Sequence, residues 1–473
     1  MSLTEIAIRL ASYIPEVKRP EVEVPLKRRI MWSALALLVF FIMGNVALVG
    51  LTGRAKEELA MVQEIFGSTT GTLVTAGIGP IVFASLMLQL LVGAKIIEIN
   101  LADPKGRATF QSLQKLTAIL FCFFEGFVYP LSRWVEGDIF ILGLQIAFGS
   151  IILFYLDDLV GKYGIGSGIG LFIAGGVTYR VFWQLFRIPL NKGETPGILL
   201  SFINSWFVGQ PDFLSLMPLL IAIVMFLIVI YAQAMHVNIP ITLGRKGLGG
   251  RYPVRLLYVS VIPVIFATAL FANFVILASI FKDVPVLGDA VRYLTWATGN
   301  PITDELMPSQ GAGQWSKFST SISGLFEEVI RQVGAQGFGV IFQETMALRL
   351  IQAFVYIILL TVFCIIFGKL WVLMGGQSPE DIAEQLESSG MYIPGFRRDS
   401  RVTVKILNRY IPTITIIGSI FVALLAGIGN MALKGLASGT GILLTVGIVY
   451  NLYEQLARFK LRDMHPLLKK FLR

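Results

Sequence analysis

Apolar residues gather in ten long blocks along the chain, at about 30–50, 72–93, 111–130, 138–156, 168–186, 214–234, 256–279, 347–368, 404–428 and 437–457. Polar and charged residues are swept into the connections between them. An α-helix needs roughly 20 apolar residues to cross a hydrocarbon core of about 30 Å. A membrane β-barrel would instead alternate over segments of about ten residues. The pattern therefore predicts an all-α polytopic membrane protein with ten transmembrane helices. One stretch fits neither regime. Residues 53–71 are too polar to cross and too apolar to lie free in water. They lead into Gly77, Gly79 and Pro80, the weakest helix formers, at the mouth of the second block.

Composition agrees with the pattern. The 473 residues are 55% hydrophobic and 15% charged. A soluble domain has about 45–50% apolar and about 25% charged residues. Charge then orients the blocks. With the N-terminus inside, 27 of the 39 Lys and Arg fall in inner segments and 12 in outer ones. The positive-inside rule places both termini in the cytoplasm. Five blocks precede the outer loop 187–213 and five follow it. An odd count per half makes the second half (214–457) run inverted relative to the first (30–186). Inverted halves place a pathway at their interface. Residues 1–29 carry no apolar run and no cleavable signal peptide, and "LTEIAIRLASYI" fits an amphipathic helix on the membrane surface. Residues 458–473 form a basic inner tail.

The chemistry within the blocks is sparse. No H-E-x-x-H or G-x-S-x-G pattern occurs, so the chain does not read as an enzyme. Asp157 and Asp158 are adjacent acids at a helix end, which suits a polar helix terminus better than catalysis. His236 and His465 are far apart, and Cys122 and Cys364 sit within apolar blocks. No cofactor or metal site is expected. Glu125 is the only acid well inside a block. It fits either a structural hydrogen bond or the proton site of an ion-coupled transporter of small solutes. A different signal is shared by two blocks. "GIGPIV" and "YGIGSGIGLFIAGG" each follow a Gly-rich start with β-branched residues four apart: Ile78 and Val82, then Ile169 and Ile173. Each pair occupies one helix face. Two inner loops, 236–255 and 375–401, are basic and rich in Gly and Pro. The first reads as a hairpin. The second holds a short helix that starts at Ser378-Pro379 and ends at Gly390. Both suit docking of a polyanion, although the positive-inside rule alone would produce the same charge.

The sequence resembles the SecY family, the pore subunits of protein translocons, in its archaeal form. The resemblance rests on "GIGPIV" with "QLLVG", "QKL" with "CFFEG", and "QIAFGSIILFYLDDLVGKYGIGSGIGLFIAGGV". It continues in "GRYPVRLLYVSVIPVIFATALFAN" and "GTGILLTVGIVYNLYEQL". It implies a channel in the plasma membrane that passes unfolded polypeptides and releases hydrophobic segments sideways into lipid. The implied pore ring is Ile78, Val82, Ile169, Ile173, Ile265 and Leu444. The implied plug helix is residues 56–69, with Glu57, Leu59, Met61, Val62, Ile65 and Phe66. Gly71, Gly77 and Gly79 become hinge candidates. The implied lateral gate carries Glu125 and Asn273, and Phe83 stands where a small polar residue is expected. A ribosome would dock on Arg245, Lys246, Arg251, Arg397 and Arg398. Further implied partners are a single-span SecE or gamma subunit, a small beta subunit, signal sequences, nascent chains and membrane lipids. The outer segment 280–346 exceeds the family's usual length and receives no role.

Overall fold

The computed structural model describes residues 14–52, 67–93, 96–97, 99, 104–132, 135–189, 196–208, 212–243, 248–281, 284, 286–300, 322–336, 341, 343–388, 391–392, 400–433 and 436–464. A helix coincides with each of the ten apolar blocks. They are α1 (Leu26–Met43), α2 (Gly79–Gly93), α3 (Pro104–Leu131), α4 (Ile139–Tyr163) and α5 (Gly168–Phe186) in the first half. A short helix, α6 (Ile198–Phe207), follows in the outer loop. The second half begins with α7 (Met217–Ala234), β1 (His236–Leu243), β2 (Leu248–Arg255) and α8 (Ile262–Ile280). Its outer segment holds α9 (Leu287–Ala297) and α10 (Leu325–Gln336). Then come α11 (Glu344–Met374), α12 (Pro379–Ser388), β3 (Met391–Tyr392), α13 (Ser400–Ala432) and α14 (Gly439–Met464).

Helix ends follow local chemistry rather than hydropathy. α1 starts after Pro25 and stops at Gly44, so residues 44–50 of the first block are not helical. α2 starts at Gly79, seven residues into the second apolar block. Gly71 (φ 84°) and Gly77 (φ 57°) adopt left-handed backbone conformations that only glycine enters readily, and they keep 71–78 out of the helix. α12 starts as expected: Ser378 Oγ accepts from Asp381 N at 3.1 Å and donates to Asp381 Oδ2 at 2.6 Å. The helices α6 and α9 were not expected. Both are shorter than a crossing and lie in outer connections that hydropathy reads as loop.

Among the described residues, five segments are long and apolar enough to cross a membrane: Ile139–Tyr163, Gly168–Phe186, Phe213–Ala234, Thr345–Ser388 and Arg401–Ala432. Their outward faces carry large exposed side chains such as Phe140, Phe182, Leu220, Leu227, Phe354 and Ile417. Water would penalise such faces, whereas lipid tails accept them. The inner face is the one that bears residues 14–25 and the C-terminal end of α14. There Arg29 stacks over the Phe459 ring at 4.7 Å.

The largest core runs through both halves. It includes Ile78, Val82, Phe172 and Ile173 from the first and Val264, Leu360, Val422 and Leu444 from the second. α5 packs on α14, and α2 packs on α8 and α11. The inner loops join each other. β1 pairs antiparallel with β2, and Thr242 and Leu243 pair with Tyr392 and Met391 of β3. The order β2-β1-β3 makes the two inner loops one small sheet beside an otherwise helical chain.

Candidate pore and lateral gate

The six apolar positions singled out above lie on four helices, α2, α5, α8 and α14, or at their first turn. Gly77, with its left-handed backbone, leaves Ile78 at the head of α2, where its carbonyl accepts from Val82 N at 3.1 Å. Ser150 Oγ of α4 donates to the Gly77 carbonyl at 3.3 Å and holds that turn in place. On α5, Ser167 caps the helix by accepting from Gly170 N at 3.1 Å. Asp157 Oδ1 accepts from Ile169 N at 2.9 Å. Asp157 therefore caps the neighbouring helix rather than offering a catalytic pair with Asp158. Ile78, Val82, Ile173 and Leu444 are buried, and Ile169 and Ile265 are half-buried against them in the same core.

A cavity of about 810 Å³ opens on the inner side of this cluster. Val82, Ile169 and Ile265 line its base. Its walls are mixed, with Ser85, Gln114 and Arg107 on one side and Trp371, Asp381 and Glu384 on the other. A water-accessible vestibule of mixed lining thus ends on branched apolar side chains.

The seam between α2, α3, α8 and α11 is closed. A Cβ on Gly93 would stand 2.9 Å from Leu370 Cδ2, so α2 and α11 touch nearly backbone to side chain. Phe83 packs edge-on against Phe121 of α3, centroids 4.9 Å apart. Glu125 lies one turn beyond Phe121 and is buried. Asn273 Nδ2 donates to Ala269 O at 2.9 Å within its own helix. A polar contact on the α2–α3 side of this seam comes from other residues. Ser85 Oγ accepts from Gln114 Nε2 at 2.9 Å and from Gln89 Nε2 at 3.2 Å. The sequence reading missed Ser85. Its signal was present: Ser85 and Gln89 are an i, i+4 polar pair within an apolar helix.

The description of the SecY family matches residues 72–453 of this chain. The chain belongs to the SecY family. It is 38% identical over 480 residues to the protein translocase subunit SecY of Methanothermobacter thermautotrophicus, covering 98% of this chain and 97% of the relative. A solved structure described as that of a protein conducting channel superposes with TM-score 0.77 at 37% identity, covering 98% of this chain and 99% of the other. Sec61 in a canine ribosome–channel complex from the endoplasmic reticulum superposes with TM-score 0.74 at 37% identity, covering 98% and 99%.

SecY membership makes this a multi-pass membrane protein and gives the remaining sequence expectations a frame. The expected plug residues Glu57, Leu59, Met61, Val62, Ile65 and Phe66 lie outside the described residues. Their C-terminal flank is held tightly: a Cβ on Gly67 would stand 3.2 Å from Phe40 Cζ, and Phe40 stacks on Phe172 at 5.1 Å. Of the expected docking cations, Arg245, Lys246, Arg397 and Arg398 also lie outside the described residues. Arg251 is exposed on β2, opposite Pro240. Arg255 Nη2 bonds Glu454 Oε1 at 2.6 Å and ties the hairpin to α14.

On the same face, residues 14–18 are strapped across the ends of α3 and α4. Glu16 pairs with Lys115 and Lys162, both at 2.8 Å. Val17 N donates to Asp158 Oδ2 at 3.2 Å, and Tyr163 Oη donates to Lys18 O at 3.0 Å. The two lysines hold the Glu16 carboxyl at a pKa of about 2, against 4.5 when free. A depressed carboxylate contributes fully above its free pKa and loses that contribution as pH falls through the folded value. The strap is therefore expected to stay docked from pH 7 to pH 5. Limited proteolysis of residues 14–25 checks this: the cleavage rate should be equal at both pH values. Glu16→Gln should be cleaved faster at both.

Proposed function

We infer that this chain is a protein-conducting channel that passes unfolded polypeptides through its centre and releases hydrophobic segments sideways into lipid. The observation that carries the reading is the inner cavity of mixed lining that ends on the Val82, Ile169 and Ile265 side chains at the seam of two helical halves. Ten crossings, with the halves inverted and both termini cytoplasmic, follow from the ten helices and the Lys and Arg bias. The ring is Ile78, Val82, Ile169, Ile173, Ile265 and Leu444, and residues 56–69 form the plug above it. The gate opens between α2 with α3 and α8 with α11. A hydrophobic segment leaves through it because lipid solvates the segment better than the vestibule does. Leu, Ile and Phe each gain about 0.3–0.6 kcal/mol at mid-bilayer, so about 20 of them outweigh one or two charges at about 3 kcal/mol each.

The joined inner loops, with Arg245, Lys246, Arg251, Arg397 and Arg398, form the ribosome-docking surface in this reading. Pairing of β3 with β1 supports it, because it brings both basic loops to one place. The family further implies a single-span SecE or gamma subunit, a small beta subunit and residence in the plasma membrane. The reading is tested with photo-crosslinking probes at Val82 and Ile169 in the full chain engaged with a stalled nascent polypeptide. Both sites are expected to crosslink to it, and a probe at lipid-facing Leu220 is not. Equal yields at all three positions would overturn the proposal.

A further inference from the structure

A buried polar cluster joins the outer segment, which had no role, to the helix that carries Leu444. Asn430, near the outer end of α13, makes three hydrogen bonds. Its Nδ2 donates to Tyr356 Oη of α11 at 2.6 Å and to Thr440 Oγ1 of α14 at 3.2 Å. Its Oδ1 accepts from Thr440 N at 3.3 Å. That amide belongs to the first turn of α14, where no intrahelical partner exists. The helix is thus capped from a neighbouring helix, in addition to Ser438 Oγ, which accepts from Gly441 N at 2.9 Å. Nothing blurs this register. α13 and α14 meet backbone to backbone, since a Cβ on Gly439 would land on Gly429 Cα.

Two consequences follow from helical geometry. Leu444 lies four residues beyond Thr440, on the same face of α14 and one turn deeper. Any shift of the Asn430–Thr440 pair therefore moves Leu444. On α11, Gln352 lies one turn before Tyr356 and donates to Trp296 O at 3.0 Å and to Asn300 O at 3.3 Å. The turn at Gly299 (φ 83°) lies against the Tyr356 ring. Asn430, Tyr356, Thr440 and Gln352 are all buried. Buried polar groups favour the arrangement that pairs them, and of these four side chains only Gln352 Oε1 has no partner among the described residues.

We propose that Asn430 and Tyr356 are positioning residues for the pore seal: they fix where Leu444 stands in the ring. The outer segment after α8 then serves as the brace that holds Tyr356 through Gln352. The inference rests on the channel reading above, with its apolar seal, and adds residues that touch neither substrate nor pore.

The test measures chloride leak from vesicles that hold the full chain. Asn430→Leu keeps the branched shape of the side chain, at a larger volume, and removes all three hydrogen bonds. It is expected to raise leak about fivefold, because an apolar seal depends steeply on its width. Tyr356→Phe removes one hydroxyl and should raise leak about twofold. Residues that act through one another are non-additive. On a Leu444→Ser background, Asn430→Leu should therefore add less than about 1.5-fold. Full additivity on that background, or an unchanged leak in a monodisperse Asn430→Leu variant, would overturn the proposal. If Asn430→Leu does not fold, Tyr356→Phe decides by the same criterion. A Leu444→Ser variant that fails to leak would instead refute the apolar seal itself, and so the channel reading.

Discussion

Replacing Ile78, Ile173 and Ile265 together by Ser is expected to raise resting ion permeability on the order of tenfold or more. The three side chains come from α5, α8 and the head of α2, so the change reaches three sides of the constriction. Branched apolar side chains hold no water between them, and an ion meeting them would have to shed its hydration shell. Hydroxyls at the same places offer hydrogen bonds to a continuous file of water. The substitutions also remove packing, since Ile78 and Ile173 are 0% and 1% exposed. Each buried Ile truncation costs about 2–5 kcal/mol. A control must therefore lose comparable packing away from the constriction. Leu153→Ala on α4, also at 0% exposure, meets that need. Conductance across planar bilayers should rise for the triple variant and stay at the wild-type level for Leu153→Ala. A folded triple variant with wild-type conductance would refute the seal.

The second expected result concerns one helix and one substitution made twice. Gly149→Ala should destabilise the chain by about 1–3 kcal/mol or more, and Gly161→Ala should stabilise it by about 0.5–1 kcal/mol. Both glycines lie within α4, where alanine is the better helix former. The difference is entirely tertiary. A Cβ on Gly149 would land on the Leu73 carbonyl, whereas nothing stands within 4 Å of one on Gly161. Leu73 is backbone and cannot rotate away, so α4 or the 71–78 segment must move. That segment contains Gly77, whose carbonyl accepts from Ser150, the next residue on α4. The damage therefore reaches Ile78. Thermal midpoints in detergent should move in opposite directions for the two variants. Equal shifts would show that the contact with Leu73 does not matter. A modest rise in leak should accompany Gly149→Ala alone.

Some of the site was legible because its signal is local. The Gly-rich starts of the second and fifth blocks, with branched residues four apart, already marked Ile78, Val82, Ile169 and Ile173. Ile265 and Leu444 had no such signal. An apolar residue in an apolar helix looks the same whether it faces lipid, core or pore, and only the family resemblance singled out these two. Phe83 was legible as a departure but not in its consequence. Its ring packs on Phe121 of α3, and the polar contact between α2 and α3 falls to Ser85 and Gln114. Asn430 was invisible for a further reason. Its value lies in bonds to residues 74 positions before it and 10 after it. No periodicity connects three such positions.

By itself, the sequence determined the rough extent of the apolar helices, the poverty of reactive groups and the family, and it set the expected side of each loop. These depend on composition within short windows: hydropathy drives insertion, and Lys and Arg counts set orientation. The tertiary structure alone decided how the inner loops join through β3, and where α2 begins relative to its apolar block. It also decided that Asp157 caps α5 and that Gln352 of α11 bonds the Trp296 and Asn300 carbonyls of the outer segment. Each of these is a contact between residues distant along the chain, and its energy comes from satisfying or excluding groups that only the fold brings together.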